Sequence, residues 1–275
     1  MRLPTRLVMS AAVRSMSDGA RRPLRGVVFD LDGTLTVPNL DFKEMYRRCG
    51  VDPSDDILEA IAKMPAADAA AATSVVDEME AEGRRTLRLE PGARELAAWL
   101  ARQGVPTALV TRNTKATVDH LHATLWAGLP PFAPAVSRDD AAFPPKPDPA
   151  ALEAILEAWG VDDRGSVVMV GDSPANDVVF GKAAGVATAL VDSGRRFVEG
   201  GADEGADVVV ASLSALGGAL HARYELPIAA KYQSGPSMKY PTPENSSPAG
   251  VAAAADDVAA LDALPAADLV ATDAS

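Results

Sequence analysis

The sequence predicts an α/β fold, a Rossmann-like doubly wound parallel sheet with a small α-helical cap inserted after the first strand. Short continuous apolar runs alternate with amphipathic stretches, which is typical of parallel strands covered by helices on both faces. One long stretch interrupts this alternation and shows no strand pattern. Polar residues directly follow several of the apolar runs, where sheets of this kind bind their ligands.

The apolar runs that predict strands are residues 26–30, 107–111, 167–171, 187–191 and 207–211. The amphipathic stretches predict helices over residues 94–103, 114–126 and 175–184, and one more that begins after Asp148. Asp148 is a favourable N-cap with Pro149 in the first turn, and Gly185 is a natural C-terminal cap for the 175–184 helix. Together these elements predict a sheet domain made of residues 23–37 and 91–226.

Residues 38–90 predict two or three helices, at about 40–49, 54–62 and 67–85. A crossover between two strands needs only one helix, so an insertion of this length favours a lid above the sheet. The alternative is a helical crossover packed on the core.

The overall composition limits the functional classes. The chain carries a formal net charge of −12, which disfavours binding to nucleic acid because phosphate backbones attract basic surfaces. No apolar run approaches the length of a membrane span, and we expect no membrane partner. Cys49 is the only cysteine, so no intramolecular disulfide can form.

The two ends of the chain differ from the middle. Residues 1–22 contain five arginines and one acidic residue, which resembles a transit peptide for a mitochondrion or chloroplast. The alternative is an unstructured leader in a cytoplasmic protein. Residues 227–275 are rich in Pro, Ala, Ser and Asp, and predict a largely disordered acidic tail.

The first two polar strand ends combine acids with a hydroxyl. Asp30 and Asp32 follow the 26–30 run and precede Gly33, which allows a turn or a close backbone approach. Thr111 ends the next strand, just before Arg112 and a predicted helix start, where a hydroxyl and free amide groups suit a phosphate. Each motif alone is equally consistent with an ordinary strand-end turn.

The next two polar groups supply a cation and more acids. Lys146 lies among four prolines, so fixing its ammonium beside an anion costs little further entropy. Asp172, Ser173 and Asp177 follow the 167–171 run, and carboxylates of this sort suit Mg²⁺. Taken singly, these are an exposed loop lysine and a capped helix start, but a parallel sheet brings all four strand ends together.

This ordered set resembles the haloacid dehalogenase (HAD-like) hydrolase superfamily. The resemblance rests on DLDGTLT, on the threonine of VTRN, on the lysine of KPDP and on GDSPANDV, and it spans about residues 24–216. The chain is most similar in its arrangement to small plant HAD-like phosphatases with a helical cap.

The resemblance implies a phosphatase that works through an aspartyl-phosphate. By this resemblance Asp30 is the nucleophile and Asp32 the general acid and base, while Thr111 and Lys146 hold the phosphoryl group. The remaining implied roles are phosphate contacts by Arg112 and Asn113, Mg²⁺ ligation by Asp30, Asp32 (through its carbonyl) and Asp172, and support of those ligands by Ser173 and Asp177.

Two alternatives remain open from the sequence. A phosphomutase of the phosphoglucomutase type uses the same residues and retains the intermediate. A catalytically idle HAD-like domain that binds another protein would need none of these groups intact. Asp32 disfavours a dehalogenase, because a halide leaving group needs no proton. We therefore expect a small phosphorylated substrate.

Overall fold

The computed structural model describes residues 21–194 and 202–227. Its centre is a six-stranded sheet in the order β4-β3-β2-β5-β6-β7, in which every neighbouring pair is parallel. A separate parallel pair joins β1 to β8. The strands are β1 Arg22–Pro23, β2 Gly26–Phe29, β3 Thr107–Val110, β4 Ala135–Val136, β5 Val167–Gly171, β6 Ala187–Val191, β7 Val208–Val210 and β8 Tyr224–Glu225.

The sheet is buried on both faces because successive residues of its strands are apolar. Val27 and Phe29 belong to one buried cluster, whereas Val28 between them belongs to the cluster on the opposite face. Such continuous apolar strands are what a doubly covered parallel sheet requires. The predicted fold class is confirmed.

Eight α-helices occur in the described part of the chain. They are α1 Phe42–Cys49, α2 Ile57–Ala62, α3 Ala66–Arg85, α4 Ala93–Arg102, α5 Lys115–His120, α6 Ala150–Trp159, α7 Val179–Ala183 and α8 Leu213–Arg223. Leu96 and Leu216, from α4 and α8, pack on one face of the sheet, and Ile155 and Phe180 lie in the cluster on the other. Within the described ranges, none of these helices combines the length and hydrophobicity needed to span a bilayer.

Helices α1 to α3 have a hydrophobic core of their own, which includes Met45, Ile61 and Val76. The side chains of Asp41 and Asp56 accept backbone N–H bonds and so begin α1 and α2. This helical segment therefore packs around its own apolar residues rather than as a single crossover helix on the sheet.

Two chain segments join the helical segment to the sheet. They run side by side, with Val37 donating to the carbonyl of Arg88 at 2.9 Å and Glu90 donating to the carbonyl of Leu35 at 2.9 Å. The Asn39 side chain also donates to the carbonyl of Gly83 at 2.7 Å. The segment thus leaves and re-enters the sheet domain at one place.

Several local predictions need correction. The 114–126 helix is α-helical only to His120 and continues as a π-helical turn, Leu121–Leu125, and the 175–184 helix likewise begins with a π-helical turn, Pro174–Val178. Pro149, not Asp148, is the residue that caps α6, although the Asp148 side chain accepts the Ala150 N–H at 3.0 Å. Strands β1, β4 and β8 were not predicted. The leader and tail predictions fall almost entirely outside the described residues.

Candidate active site

The polar strand ends meet at the carboxyl edge of the sheet. Asp30 follows β2 and Asp172 follows β5, and these two strands are neighbours in register. Thr111 follows β3, which lies on the other side of β2. Because the strands are parallel, all three residues lie at the same edge of the sheet, where such sheets bind ligands.

Lys146 occupies the centre of the site. Its ammonium donates to Asp30 Oδ1 at 2.5 Å and to Asp177 Oδ1 at 2.7 Å. Only 3% of its side chain is exposed, so the charge depends on these partners rather than on water. Burial lowers the pKa of Lys146, but the two carboxylates outweigh it and hold that pKa above its usual value. The lysine is therefore a fixed cation beside Asp30.

The Asp30 carboxylate is buried and surrounded by charge. Loss of solvent raises its pKa to about 8, the Lys146 ammonium opposes the rise, and the neighbouring Asp177 and Asp32 add to it. Thr34 contributes a long hydrogen bond to Asp30 Oδ2, at 3.4 Å. The site holds more carboxylate charge than Lys146 alone can balance, which favours a further cation.

A divalent cation fits this arrangement. One carboxylate oxygen from each of Asp30, Asp172 and Asp177 lies within 4.8 Å of the others. Mg²⁺ prefers hard oxygen ligands at about 2.0–2.1 Å, so opposite ligands lie roughly 4 Å apart. These three residues are the structure's candidate metal ligands, and the set includes Asp177, which the sequence assigned only to a supporting position.

Two glycines make room for the acids. A Cβ on Gly33 would lie 2.7 Å from Asp172 Oδ2, and Gly33 has a φ of +83° that side chains rarely adopt. A Cβ on Gly171 would lie 2.2 Å from Asp177 Cγ. Both contacts are too close for a real Cβ, so the two positions must lack a side chain for the carboxylates to converge.

Asp32 is held by an amide from the next strand end. Asn113 Nδ2 donates to both of its carboxylate oxygens, at 3.2 and 3.0 Å. Burial raises the pKa of Asp32, and the Asn113 amide partly offsets that rise. Asp32 lines the same cavity as Asp30, so an acid able to exchange a proton lies beside the nucleophile candidate.

Thr111 and Ser173 shape the loops around the acids. The Thr111 hydroxyl accepts the Asn113 N–H at 3.0 Å, and Thr111 lines a smaller cavity of about 140 Å³ beside Lys146. The Ser173 N–H donates to Asp177 Oδ2 at 3.0 Å, which fixes the second oxygen of that carboxylate.

The main cavity, of about 430 Å³, lies between these residues and the helical segment. Two arginines that line it are paired across the gap. Arg112 donates to Asp56 at the start of α2, and Arg138 forms a two-pronged pair with Glu80 of α3 at 2.7 and 2.9 Å. Neither pair was predicted.

All the residues proposed from the sequence line one or both of the two adjoining cavities. Three of these residues make contacts that differ from the roles predicted for them. The Arg112 guanidinium contacts Asp56, the Asn113 amide contacts Asp32, and Asp177 joins the candidate metal ligands. Lys146 lies within hydrogen-bonding distance of Asp30, although 116 residues separate them.

The fold and the site define an α/β protein with buried acids at the carboxyl edge of its parallel sheet. Residues 24–185 match the family model of the haloacid dehalogenase-like hydrolases, and the chain belongs to this family.

Relatives agree with this assignment, and a solved structure has a similar fold. A haloacid dehalogenase-like hydrolase domain-containing protein of Arabidopsis thaliana is 35% identical over 68% of this chain and 79% of its own length. A phosphoglycolate phosphatase of Pseudomonas fluorescens is 32% identical over 70% of this chain and 78% of its own length. The fold is similar to that of a hydrolase from Pseudomonas syringae, with a TM-score of 0.60 at 17% identity over 73% of this chain and 100% of the other.

Proposed function

We propose that the protein is a Mg²⁺-dependent phosphatase that hydrolyses a small phosphomonoester through a phosphoaspartate on Asp30. One observation carries this proposal: the buried Asp30 carboxylate lies 2.5 Å from the Lys146 ammonium, within a cluster of acids suited to Mg²⁺. Similarity to proteins named phosphoglycolate phosphatases supports the phosphatase reaction, without fixing the substrate.

The first half of the reaction forms the intermediate. The Asp30 carboxylate attacks phosphorus, a new O–P bond forms, and the bond to the leaving alcohol breaks. Asp32 donates its proton to the departing oxygen, and its raised pKa keeps that proton available closer to neutral pH. Lys146 and the Thr111 hydroxyl hold the transferring oxygens.

The second half regenerates the enzyme. Asp32, now ionised, takes a proton from water, and the resulting hydroxide attacks the phosphorus of phosphoaspartate. Phosphate leaves and the Asp30 carboxylate is restored. Asn113 holds Asp32 in place for both proton transfers.

A bound Mg²⁺ would be held by Asp30 and Asp172, the Asp32 carbonyl and Asp177, and would neutralise the charge of the phosphoryl group. Within the chain itself, Lys146 lowers the repulsion between Asp30 and a phosphate dianion. At about 4 Å and an effective dielectric near 20, each such charge pair costs about 4 kcal/mol. A cation in direct contact with Asp30 is therefore a requirement of the chemistry.

We further propose that residues 38–90 act as a cap. The helical segment supplies one wall of the cavity and contacts the sheet domain through Asp56 and Glu80. A cap that closes over the acids would exclude water during the first half-reaction and protect the intermediate.

The proposal is tested by assaying p-nitrophenyl phosphate with Mg²⁺ for the wild type and for Asp30→Asn. We expect the substitution to lower kcat by at least about 10³-fold, because the covalent step is lost. Asp41→Asn is a matched control, since that side chain caps α1 outside the cavity. Equal activity in the wild type and Asp30→Asn would contradict the assigned nucleophile. Transfer of the phosphoryl group to a sugar phosphate, without net phosphate release, would indicate a mutase.

A further inference from the structure

The cavity above Asp30 has two chemically different parts. Its floor is ionic, whereas the wall supplied by the helical segment is largely apolar. Phe42, in that wall, is 53% exposed, which is unusual for a large apolar side chain in the part of the chain that the structure describes. The main apolar residues of the wall are Leu40, Phe42, Met45, Ile57, Leu58 and Val76.

Every cation among the described residues that line this cavity has a carboxylate partner. Lys146 is shared by Asp30 and Asp177. The other two are the arginines described above, Arg112 with Asp56 and Arg138 with Glu80. Once one phosphoryl group occupies the site beside Lys146 and the candidate metal ligands, no lining cation among the described residues is left for a second anion.

We infer that the leaving alcohol of the substrate is uncharged and at least partly apolar, such as a phenol or a similarly apolar alcohol. The inference rests on the proposed phosphatase function and deepens it. A leaving group of this kind would pack against Phe42 and its neighbours. An alcohol that bears a carboxylate or a second phosphate would instead meet paired arginines and an excess of acids.

Binding a second anion would require an arginine to be released. If Arg112 turned to a substrate carboxylate, Asp56 would lose its partner and remain close to the incoming negative charge. This pair is partly exposed, with 37% of the Arg112 side chain and 28% of the Asp56 side chain accessible, so the penalty comes mainly from leaving Asp56 beside the substrate's negative charge. Glu80 is only 7% exposed, and releasing Arg138 would leave this buried carboxylate without its charged partner. The substrate class thus differs from that of phosphoglycolate, whose alcohol carries a carboxylate.

The first test compares phenyl phosphate with 4-carboxyphenyl phosphate, on the full chain with Mg²⁺. The two esters have similar leaving groups and differ by one negative charge. We expect kcat/KM to be at least about tenfold lower for the carboxylated ester, and the methyl ester of that carboxylate to restore most of the loss. A kcat/KM for the carboxylated ester that equals or exceeds the kcat/KM for phenyl phosphate would overturn the inference while leaving the phosphatase function intact. A kcat/KM for phosphoglycolate that equals or exceeds the kcat/KM for phenyl phosphate would have the same meaning.

The second test releases one arginine. Asp56→Asn removes the charge that pairs with Arg112, and asparagine keeps the N-cap of α2 because it caps helices as well as aspartate does. In this variant we expect a several-fold fall in the ratio of kcat/KM for phenyl phosphate to kcat/KM for its carboxylated analogue. Glu44→Gln is the control, because it removes one acid from α1 outside the cavity, and its preference should equal that of the wild type.

The outcomes distinguish the inference about the leaving alcohol from the phosphatase function on which it rests. An unchanged preference in Asp56→Asn, with the helix content and melting temperature of the wild type, would overturn the role assigned to the Arg112 pair. Hydrolysis of neither ester by the wild type would instead refute the phosphatase function, and the substrate inference with it.

Discussion

Replacing Gly33 with alanine tests whether the site depends on a close approach of Asp172. The new Cβ would lie 2.7 Å from Asp172 Oδ2, whereas ordinary contact begins at 3.4 Å, so the carboxylate must retreat by about 0.7 Å. Metal–ligand distances tolerate only about 0.2 Å. We therefore expect the Mg²⁺ concentration for half-maximal activity to rise by at least about tenfold, equivalent to about 1.4 kcal/mol.

A matched control isolates the backbone effect. Gly128 has a φ of +81°, close to the +83° of Gly33, but a Cβ there would meet nothing within 4 Å. Both alanine variants should lose about 1–2 kcal/mol of unfolding free energy, the cost of the left-handed conformation, in a urea titration. Only Gly33→Ala should change the Mg²⁺ dependence measured by phosphate release. Equal Mg²⁺ dependence in the two variants would refute the reasoning.

Two further substitutions probe the remaining contacts. Asn113→Ala removes the amide that lowers the pKa of Asp32, so that pKa should rise further. Asp32 would then keep the proton that it donates to the leaving oxygen up to a higher pH, and the descending limb of a kcat–pH profile should move to higher pH. A limb that stays in place would contradict the role of Asp32. Glu80→Gln leaves Arg138 without its charged partner and should cost about 1–3 kcal/mol of unfolding free energy, measured by urea titration. Glu44→Gln, in an exposed pair, should leave the unfolding midpoint unchanged.

The sheet was predictable because its strands are continuous apolar runs. The runs at 167–171 and 187–191 match β5 and β6 at both ends, and the run at 26–30 is one residue longer than β2. Strand β4, Ala135–Val136, has only two residues and so carries no periodicity that could reveal it. The β1–β8 pair depends on contacts between segments about 200 residues apart, which local patterns do not encode.

The grouping of the polar residues at the strand ends was predictable for a different reason. Parallel topology brings strand ends together, so Asp30, Thr111 and Asp172 could be grouped before any distance was known. The partners of individual side chains were not predictable. Asn113 contacts Asp32 across 81 residues of sequence, where the sequence suggested a substrate phosphate.

The pairs that join the helical segment to the sheet were also invisible in the sequence. Arg138 and Glu80 are 58 residues apart, and the residues around each of them are equally consistent with an ordinary solvated charge. Whether such charges meet depends on how the helices lie over the sheet edge, which residue spacing does not determine. These pairs nevertheless decide which charges the cavity offers to a substrate.

The most direct test of the account is to identify the residue that carries the phosphoryl group. The enzyme, with Mg²⁺ and phenyl phosphate, would be acid-quenched within one turnover and mapped by peptide mass spectrometry. We predict a phosphorylated peptide with the modification on Asp30, formed and lost at rates that account for turnover. Phosphate release without any protein-bound phosphoryl group, or modification of Asp32 or Asp172 instead, would contradict the account.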